Sequence, residues 1–323
     1  MNILITGGAG YIGSNVAHLL IDNGHQVTII DNLITGNKNI IPKEAYFLNA
    51  DISDKKKIYN LLETSRYDLV MHFAGLVKVE ESFKLSEKYN LYNVEKAKLF
   101  LNYCLDKGLN KIIFSSTAGV YGKSQKTKVN ENDVLNPLNP YSKNKLEMEK
   151  YLTNLASEDR ANCVILRYFN VAGADQKNRS GMMVKSSNNL IKAVSEFALK
   201  KRSEFIVNGT DYDTKDGTPI RDFIHVSDLA DIHMIVANYL KDEGKSDIFN
   251  CGYGDGYSVL DVIKSMEKII KKKLDYKVGE RRSGDIPFSV ADSQKFKKKF
   301  NWNPKYNNLN YIIESAFNWE KNT

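Results

Sequence analysis

Glycines 7, 10 and 13, in Thr6-Gly-Gly-Ala-Gly-Tyr-Ile-Gly13, follow an apolar segment, Asn2-Thr6, and open a helical pattern running from about Tyr11 to Asn23. A strand, a tight turn and a helix satisfy this pattern together. Glycine lacks the Cβ that would block the turn and lets backbone come close to a ligand. A helix N-terminus offers unpaired N–H groups and the positive end of a dipole, so the G-x-x-G-x-x-G spacing predicts a pyrophosphate cradle. A glycine-rich turn with no ligand is the plain alternative, and the strand-turn-helix context weighs against it.

The alternation continues. Val27-Ile30, Tyr46-Leu48, Asp68-His72, Lys111-Ser115 and Cys163-Arg167 read as strands. Asp54 caps a helix to about Thr64, a long helix lies near Tyr89-Lys107, and Pro140 opens another reaching about Ala156. Continuous apolar strands alternating with helices predict an α/β fold with a doubly wound parallel sheet. After about residue 168 the pattern loosens into helices near Asn188-Lys200, Asp228-Leu240 and Val259-Lys271, separated by loops rich in Gly, Asp and Tyr. The expected organisation is a dinucleotide-binding domain over 1-168 and a smaller mixed α/β substrate lobe over 169-323. Segments such as Asp247-Asn250 are expected to return to the main sheet.

Asp31 ends the second strand, roughly 20 residues beyond the glycines, where a carboxylate can accept hydrogen bonds from a ribose diol and would repel a 2′-phosphate. That favours NAD over NADP. Asp51-Ile52 follows the third strand and is placed to reach the adenine edge, and the small residues of Phe73-Ala74-Gly75 leave room for the cofactor. Tyr141 and Lys145 lie four apart on one helix face. A phenol is a poor base at neutral pH, but a neighbouring ammonium and a positive nicotinamide ring both favour the phenolate. Tyr141 can then take a proton from a substrate hydroxyl, with Thr117 hydrogen-bonding that hydroxyl. Alone, the pair reads as surface decoration; after a dinucleotide turn and a Ser115-Ser116-Thr117 strand end it reads as a catalytic set.

Charge narrows the partners. The net charge is +7, but the lysines are scattered apart from Lys271-Lys273 and Lys297-Lys299, which fall at the ends of amphipathic helices. Cations there suit the helix dipole, so nucleic acid is not the expected partner. Cys104, Cys163 and Cys251 show no paired spacing and read as buried thiols in a reducing compartment. The five histidines show no metal-ligand spacing. The N-terminus reads as a strand rather than a signal peptide, and no apolar run approaches the roughly 18 residues of a membrane span.

The ordered set of motifs resembles the extended short-chain dehydrogenase/reductases, and within them the UDP-glucose (UDP-galactose) 4-epimerases. The matching stretches are Thr6-Ser14, Asp31-Asn-Leu33, His72-Phe-Ala-Gly-Leu76, Phe114-Thr117, Pro140-Lys145, Leu166-Arg-Tyr-Phe-Asn170, Asp216-Gly-Thr218, Arg221-Val226 and Arg282-Ser-Gly-Asp285. The resemblance implies a Rossmann domain binding NAD through Gly7, Gly10, Tyr11, Ile12, Gly13, Asp31, Asn32, Asp51, Ile52, Phe73, Ala74, Gly75, Asn93, Tyr141, Lys145 and Phe169. It implies a UDP-sugar site using Thr117, Tyr141, Asn170, Asn189, Leu190, Arg221, Arg282, Asp285 and Ser289. Arg221 and Arg282 would neutralise phosphate charge and Asp285 would touch the uridine ribose. The implied reaction inverts C4 through a transient 4-keto sugar. A cytoplasmic homodimer is also implied, formed through helices near Tyr89-Lys107 and Tyr141-Ala156.

Departures bear on substrate. Val77 stands where the family often has a cofactor-contacting lysine, and Asn208 where a phenylalanine usually lies near the uracil. Ser289 replaces the bulky tyrosine of glucose-restricted members, so N-acetylated sugars are expected to fit. Ala118-Gly119 in place of Asp-Glu disfavours dehydration. A UDP-glucuronate 4-epimerase or decarboxylase is the rival enzyme reading; a non-catalytic NAD sensor, the rival of another class, is opposed by the intact Thr117-Tyr141-Lys145 set.

Overall fold

The structure, a computed structural model, describes residues 1–184, 188–282 and 284–323. Two compact units are interleaved along the chain. The first comprises Met1–Val120, Leu135–Arg167 and Ala230–Phe249; the second comprises Tyr121–Val134, Tyr168–Leu229 and Asn250–Thr323.

The first unit is built on a seven-stranded sheet. Its strands are β1 (Asn2–Thr6), β2 (Gln26–Asp31), β3 (Tyr46–Asn49), β4 (Leu69–His72), β5 (Lys111–Thr117), β6 (Asn162–Tyr168) and, tenth in the chain, β10 (Asp247–Cys251). They are ordered β10-β6-β5-β4-β1-β2-β3. The pairs β1–β2, β1–β4, β2–β3 and β4–β5 are parallel. From β1 the chain winds one way to β2 and β3 and the other way to β4, β5 and β6, so the direction reverses between β1 and β4. Ligands of doubly wound sheets bind at this switch point, outside the carboxyl ends of the strands. Strand β4 is buried throughout and β1 from Ile3 to Thr6, as parallel strands covered on both faces must be.

Helices α1 (Tyr11–Asp22), α2 (Lys55–Thr64), α3 (Val79–Lys84), α4 (Ser86–Asn90), α5 (Lys96–Asp106) and α6 (Pro140–Ser157) connect these strands. The apolar faces of α2, α5 and α6, including Ile58, Phe100, Leu101, Met148 and Leu152, join Val70, Ile112 and Ile165 in one core. The single helix expected near Tyr89-Lys107 is instead α4 and α5 joined by a π-helical turn, Leu91–Glu95. A widened turn holds an extra residue without disturbing the apolar stripe on either side, so periodicity alone does not reveal it.

His72, at the end of β4, is 1% exposed, lies between the rings of Phe100 and Phe114 at 5.9 and 6.0 Å, and meets Thr6 Oγ1 through Nδ1 at 2.8 Å. Burial, reinforced by the Lys145 charge, lowers it to about 3 from an ordinary 6.5. The folded chain thus holds His72 neutral, while the unfolded chain protonates it near 6.5. Its contribution is complete above pH 6.5 and is lost as pH falls toward 3, at about 1.4 kcal/mol per pH unit. Chemical denaturation between pH 6.5 and 4 should show that slope, and His72→Asn should flatten it. An unchanged slope would mean that His72 does not titrate on unfolding.

The second unit contains β7 (Asn170–Ala172), β8 (Ile206–Asn208), β9 (Ile220–His225), β11 (Gly256–Ser258), β12 (Lys277–Gly279) and β13 (Phe288–Ser289). Strand β9 pairs in parallel with β7 and β13 and antiparallel with β11, and β8 pairs in parallel with β12. Helices α7 (Leu190–Ala198), α9 (Val259–Ile270), α10 (Gln294–Phe300) and α11 (Leu309–Asn322) complete it, and α8 (Val226–Lys241) starts in this unit and ends in the first. The lysine runs fall where the dipole argument puts them: Lys271 caps α9 and Lys297–Lys299 occupy the last turn of α10. Among the described residues no helix is long and apolar enough to cross a membrane.

Candidate active site

In the first unit the glycine turn is close-packed. Gly7 has φ +74°, and a Cβ there would lie 2.6 Å from the Ala74 nitrogen; a Cβ at Gly13 would lie 2.5 Å from the Gly7 carbonyl. Gly10 begins α1 with no side-chain cap, and its first turn has no acidic residue. The positive end of α1 is therefore left for an external anion. Tyr11 and Ile12 form the first helical positions beside it.

Asp31 is buried at the end of β2. Its Oδ2 accepts from Ala9 N at 3.0 Å and its Oδ1 from Leu33 N at 2.8 Å. Burial raises its pKa, and the two backbone donors offset part of that rise. A carboxylate accepts about four hydrogen bonds, so capacity remains for a ribose diol. Gly36 permits this arrangement, because a Cβ there would lie 2.9 Å from Asp31 Oδ1 and 2.7 Å from Ala9 Cβ. Sequence reasoning passed over Gly36; the only signal was a lone glycine in the loop after Asp31.

Phe73, Ala74 and Gly75 leave β4 beside Gly7, and the Phe73 ring lies 5.0 Å from that of His233. Asn93, expected to touch cofactor, is buried and commits both ends of its amide to Leu76. Its Oδ1 accepts from Leu76 N at 2.7 Å and its Nδ2 donates to Leu76 O at 2.9 Å. Asp51 is likewise engaged within the protein, by Lys96, Asn32 and Ser53, with Ile52 buried next to it. The donors and small residues at the ends of β1, β2 and β4 together suit an NAD molecule laid across the switch point.

The Tyr-Lys pair is carried by α6. Asn139 caps this helix by accepting from Ser142 N at 2.8 Å, and Pro140 sets the first turn. Three residues at successive turns of α6 meet the end of β5. Tyr141 comes close enough to Thr117 for the hydroxyl to favour its phenolate. The Lys145 ammonium donates to the Ser115 carbonyl at 2.7 Å and sits 4.8 Å from the centre of the Phe114 ring. Glu149 accepts from Ser116 Oγ and forms a bidentate pair with Arg167, whose Nη2 lies 2.7 Å from Oε2. Glu149 was not anticipated, although its spacing of eight from Tyr141 continues the same stripe.

Burial pushes the Tyr141 phenol up to about 12, the Thr117 hydroxyl offsetting part of this. Burial also lowers Lys145 to about 8, with Glu149 partly holding it up. Within the protein alone, then, the Lys145 ammonium is directed at Ser115, and the phenol lies above its ordinary value. A further positive charge beside the phenol is what brings it toward neutral pH.

The second unit carries the remaining expected residues. Phe169 is 6% exposed and donates its backbone N–H to Cys251 O at 3.1 Å, directly before Asn170 opens β7. Asn189 caps α7, accepting from Lys192 N at 3.3 Å and donating to Val171 O at 3.2 Å, with Leu190 as the first helical residue. Arg221 on β9 donates from Nη1 to the carbonyls of Ile220 and Ile286 at 3.0 and 2.8 Å. Its Nη2 lies 3.5 Å from Asp285, which also accepts from Arg282 Nε at 3.2 Å. Two forked cations thus converge on one carboxylate, an arrangement suited to a diphosphate beside a hydroxyl-bearing ring. Ser289 pairs in register with Arg221, which puts the two side chains on one face of the sheet. Ser283, within the Arg282–Asp285 stretch, lies outside the described residues. Arg281, not anticipated, lies over the Tyr212 ring at 4.2 Å and donates to Asp211 at 2.7 Å. Among the described residues no group of His, Cys, Asp or Glu could hold a metal ion.

Comparison with known proteins agrees with this geometry. Residues 3–252 match the NAD dependent epimerase/dehydratase family. The UDP-glucose 4-epimerase of Azospirillum brasilense is 40% identical over 319 residues, 99% of this chain and 92% of that protein. The UDP-glucose-4-epimerase of Stenotrophomonas maltophila, solved with bound NAD and formylated UDP-arabinopyranose, is 33% identical and superposes with a TM-score of 0.96 over 100% of this chain and 98% of that one. The UDP-Glc/GlcNAc 4-epimerase of Campylobacter jejuni is 39% identical with a TM-score of 0.86, covering 100% and 99% of the two chains. With its glycine turn at the switch point, its Tyr-Lys pair on α6 and these full-length likenesses, the chain belongs to the NAD dependent epimerase/dehydratase family.

Proposed function

We propose that the chain is an NAD-dependent 4-epimerase of UDP-hexoses, acting on UDP-glucose and UDP-galactose and also on UDP-GlcNAc and UDP-GalNAc. The observation that carries this reading is the pairing of Tyr141 and Lys145 one turn apart on α6, with the buried Lys145 ammonium fixed to the end of β5, the strand that ends in Thr117. Gly7, Gly10 and Gly13 hold the pyrophosphate, Asp31 takes the adenosine ribose, and Phe73, Ala74, Gly75, Lys145 and Phe169 line the rest of the cofactor. NAD, when bound, supplies a hydride acceptor and donor and a positive ring charge. Tyr141 as phenolate removes the proton of the sugar C4 hydroxyl, Thr117 orients that hydroxyl, and Tyr141 returns the proton after the 4-keto sugar has presented its other face. Arg221, Arg282 and Asp285 anchor the UDP, with Asn170, Asn189 and Leu190 beside the sugar and phosphates, so the sugar can turn while the nucleotide stays.

The test is to incubate the protein with UDP-galactose, UDP-N-acetylgalactosamine and UDP-glucuronate separately, without added NAD, and to identify products. The 4-epimers of the first two are expected; no 4-epimer from any would overturn the reading, and product from UDP-glucuronate alone would favour the rival enzyme. Ser289→Tyr should lower kcat/KM for the N-acetylated pair at least tenfold more than for the glucose pair, about 1.4 kcal/mol of discrimination. Equal losses on both pairs would remove Ser289 as the gate.

A homodimer is part of the proposal. Its support is the exposure of large apolar side chains on the expected helices, Leu91 at 41% and Leu99 at 40%. Sedimentation at micromolar concentration tests it, and a monomer would refute it. Three free, buried thiols, Cys104, Cys163 and Cys251, support a reducing, cytoplasmic setting.

A further inference from the structure

The π-helical turn Leu91–Glu95 interrupts a helix at a point where two side chains three residues apart reach different loops. Asn93 clamps the backbone of Leu76, just after β4. Three residues on, the Lys96 ammonium donates to Asp51 Oδ2 at 2.7 Å, just after β3, while lying 4.1 Å from the centre of the Tyr92 ring. The same Asp51 oxygen accepts from Asn32 Nδ2 at 3.0 Å, just after β2. The other oxygen accepts from Ser53 N at 2.9 Å and Ser53 Oγ at 2.6 Å. One helical junction therefore ties together the loops that follow β2, β3 and β4.

Counting acceptors decides what Asp51 does. A carboxylate offers about four hydrogen-bonding positions. Asp51 has four donors within the protein: Lys96, Asn32 and two from Ser53. These four donors occupy the carboxylate within the protein and fix its orientation. Burial would raise Asp51, yet the hydrogen bonds from Lys96, Ser53 and Asn32 hold it down to about 2, so the clip is charged at any working pH.

We infer that Lys96 is a positioning residue for the adenosine half of the cofactor: through Asp51 it fixes Asn32 and the loop carrying Ile52, so that this wall of the pocket is preformed. Lys96 does not touch the reacting atoms and does not act on the nicotinamide end. The inference rests on the NAD reading above. Its cost and benefit are those of preorganisation: loops held in place before binding need not be ordered during it.

The experiment is calorimetric titration of the full-length protein, first freed of any retained NAD, with ADP-ribose and, separately, with nicotinamide mononucleotide. Lys96→Met should weaken ADP-ribose about tenfold, the loss of one charge-assisted contact, and leave nicotinamide mononucleotide unchanged. Lys96→Arg, which keeps the cation on Asp51, should restore ADP-ribose binding to within about threefold, about 0.7 kcal/mol. Unchanged ADP-ribose affinity in Lys96→Met, or equal losses for both probes, would overturn the inference. Failure of the parent protein to bind ADP-ribose would instead overturn the NAD reading.

Discussion

Tyr141→Phe should lower kcat by about two to four orders of magnitude, the span typical of a positioned proton-transfer group. The ring volume and the α6 surface are retained, so the melting temperature and the NAD content of the purified protein should match those of the parent. Because burial sets the phenol near 12 in the protein alone, the parent's turnover should rise with pH toward the working value of the phenol. Residual turnover in Tyr141→Phe should lose that rise. Steady-state assays with UDP-galactose over a pH series give both quantities. A variant that keeps most of its turnover would take Tyr141 out of the proton path and transfer the base role to another group.

Arg167→Met should cost about 3–5 kcal/mol of stability. Arg167 and Glu149 are 2% and 3% exposed at their side chains, and the pair is bidentate, with further contacts from Arg167 Nε at 3.1 and 3.2 Å. Removing Arg167 takes the bidentate partner from a buried carboxylate and leaves it only the Ser116 hydroxyl and the charge of Lys145 one turn away. Replacing both, as Arg167→Met with Glu149→Leu, should recover most of the loss, because two apolar groups of similar volume avoid the desolvation penalty altogether. Urea unfolding curves read the comparison. A single variant as stable as the parent would show that water reaches the remaining charge. Since Glu149 lies one turn beyond Lys145 on α6 and bonds Ser116 on β5, the pair also pins the helix register that gives Tyr141 its contact with Thr117.

Local chemistry made much of this molecule legible beforehand. Gly7, Gly10 and Gly13 can serve little else than a close-packed turn, and the continuous apolar runs at Asn2–Thr6 and Leu69–His72 require a sheet covered on both faces. Tyr141 and Lys145 lie one helical turn apart, so their shared face follows from spacing alone. The weak β-signal of Phe288–Ser289 and Asn170–Ala172 was not legible. Each is three residues or fewer and is strand-like only because it pairs with β9. Glu149, Lys96 and Gly36 were missed for a related reason: their importance lies in partners 18, 45 and 5 positions away, Arg167, Asp51 and Asp31.

By itself, then, the sequence determined the doubly wound sheet, the close-packed glycine turn and the shared helix face of Tyr141 and Lys145, because each depends on a period or spacing within a single element or two adjoining ones. Tertiary structure alone decided what each charge is used for. Hydrogen-bond capacity is finite and is shared among groups brought together from distant parts of the chain. Asp51 receives Lys96 and Asn32 from other segments, the Lys145 ammonium meets the Ser115 carbonyl, and no spacing within one element shows either contact.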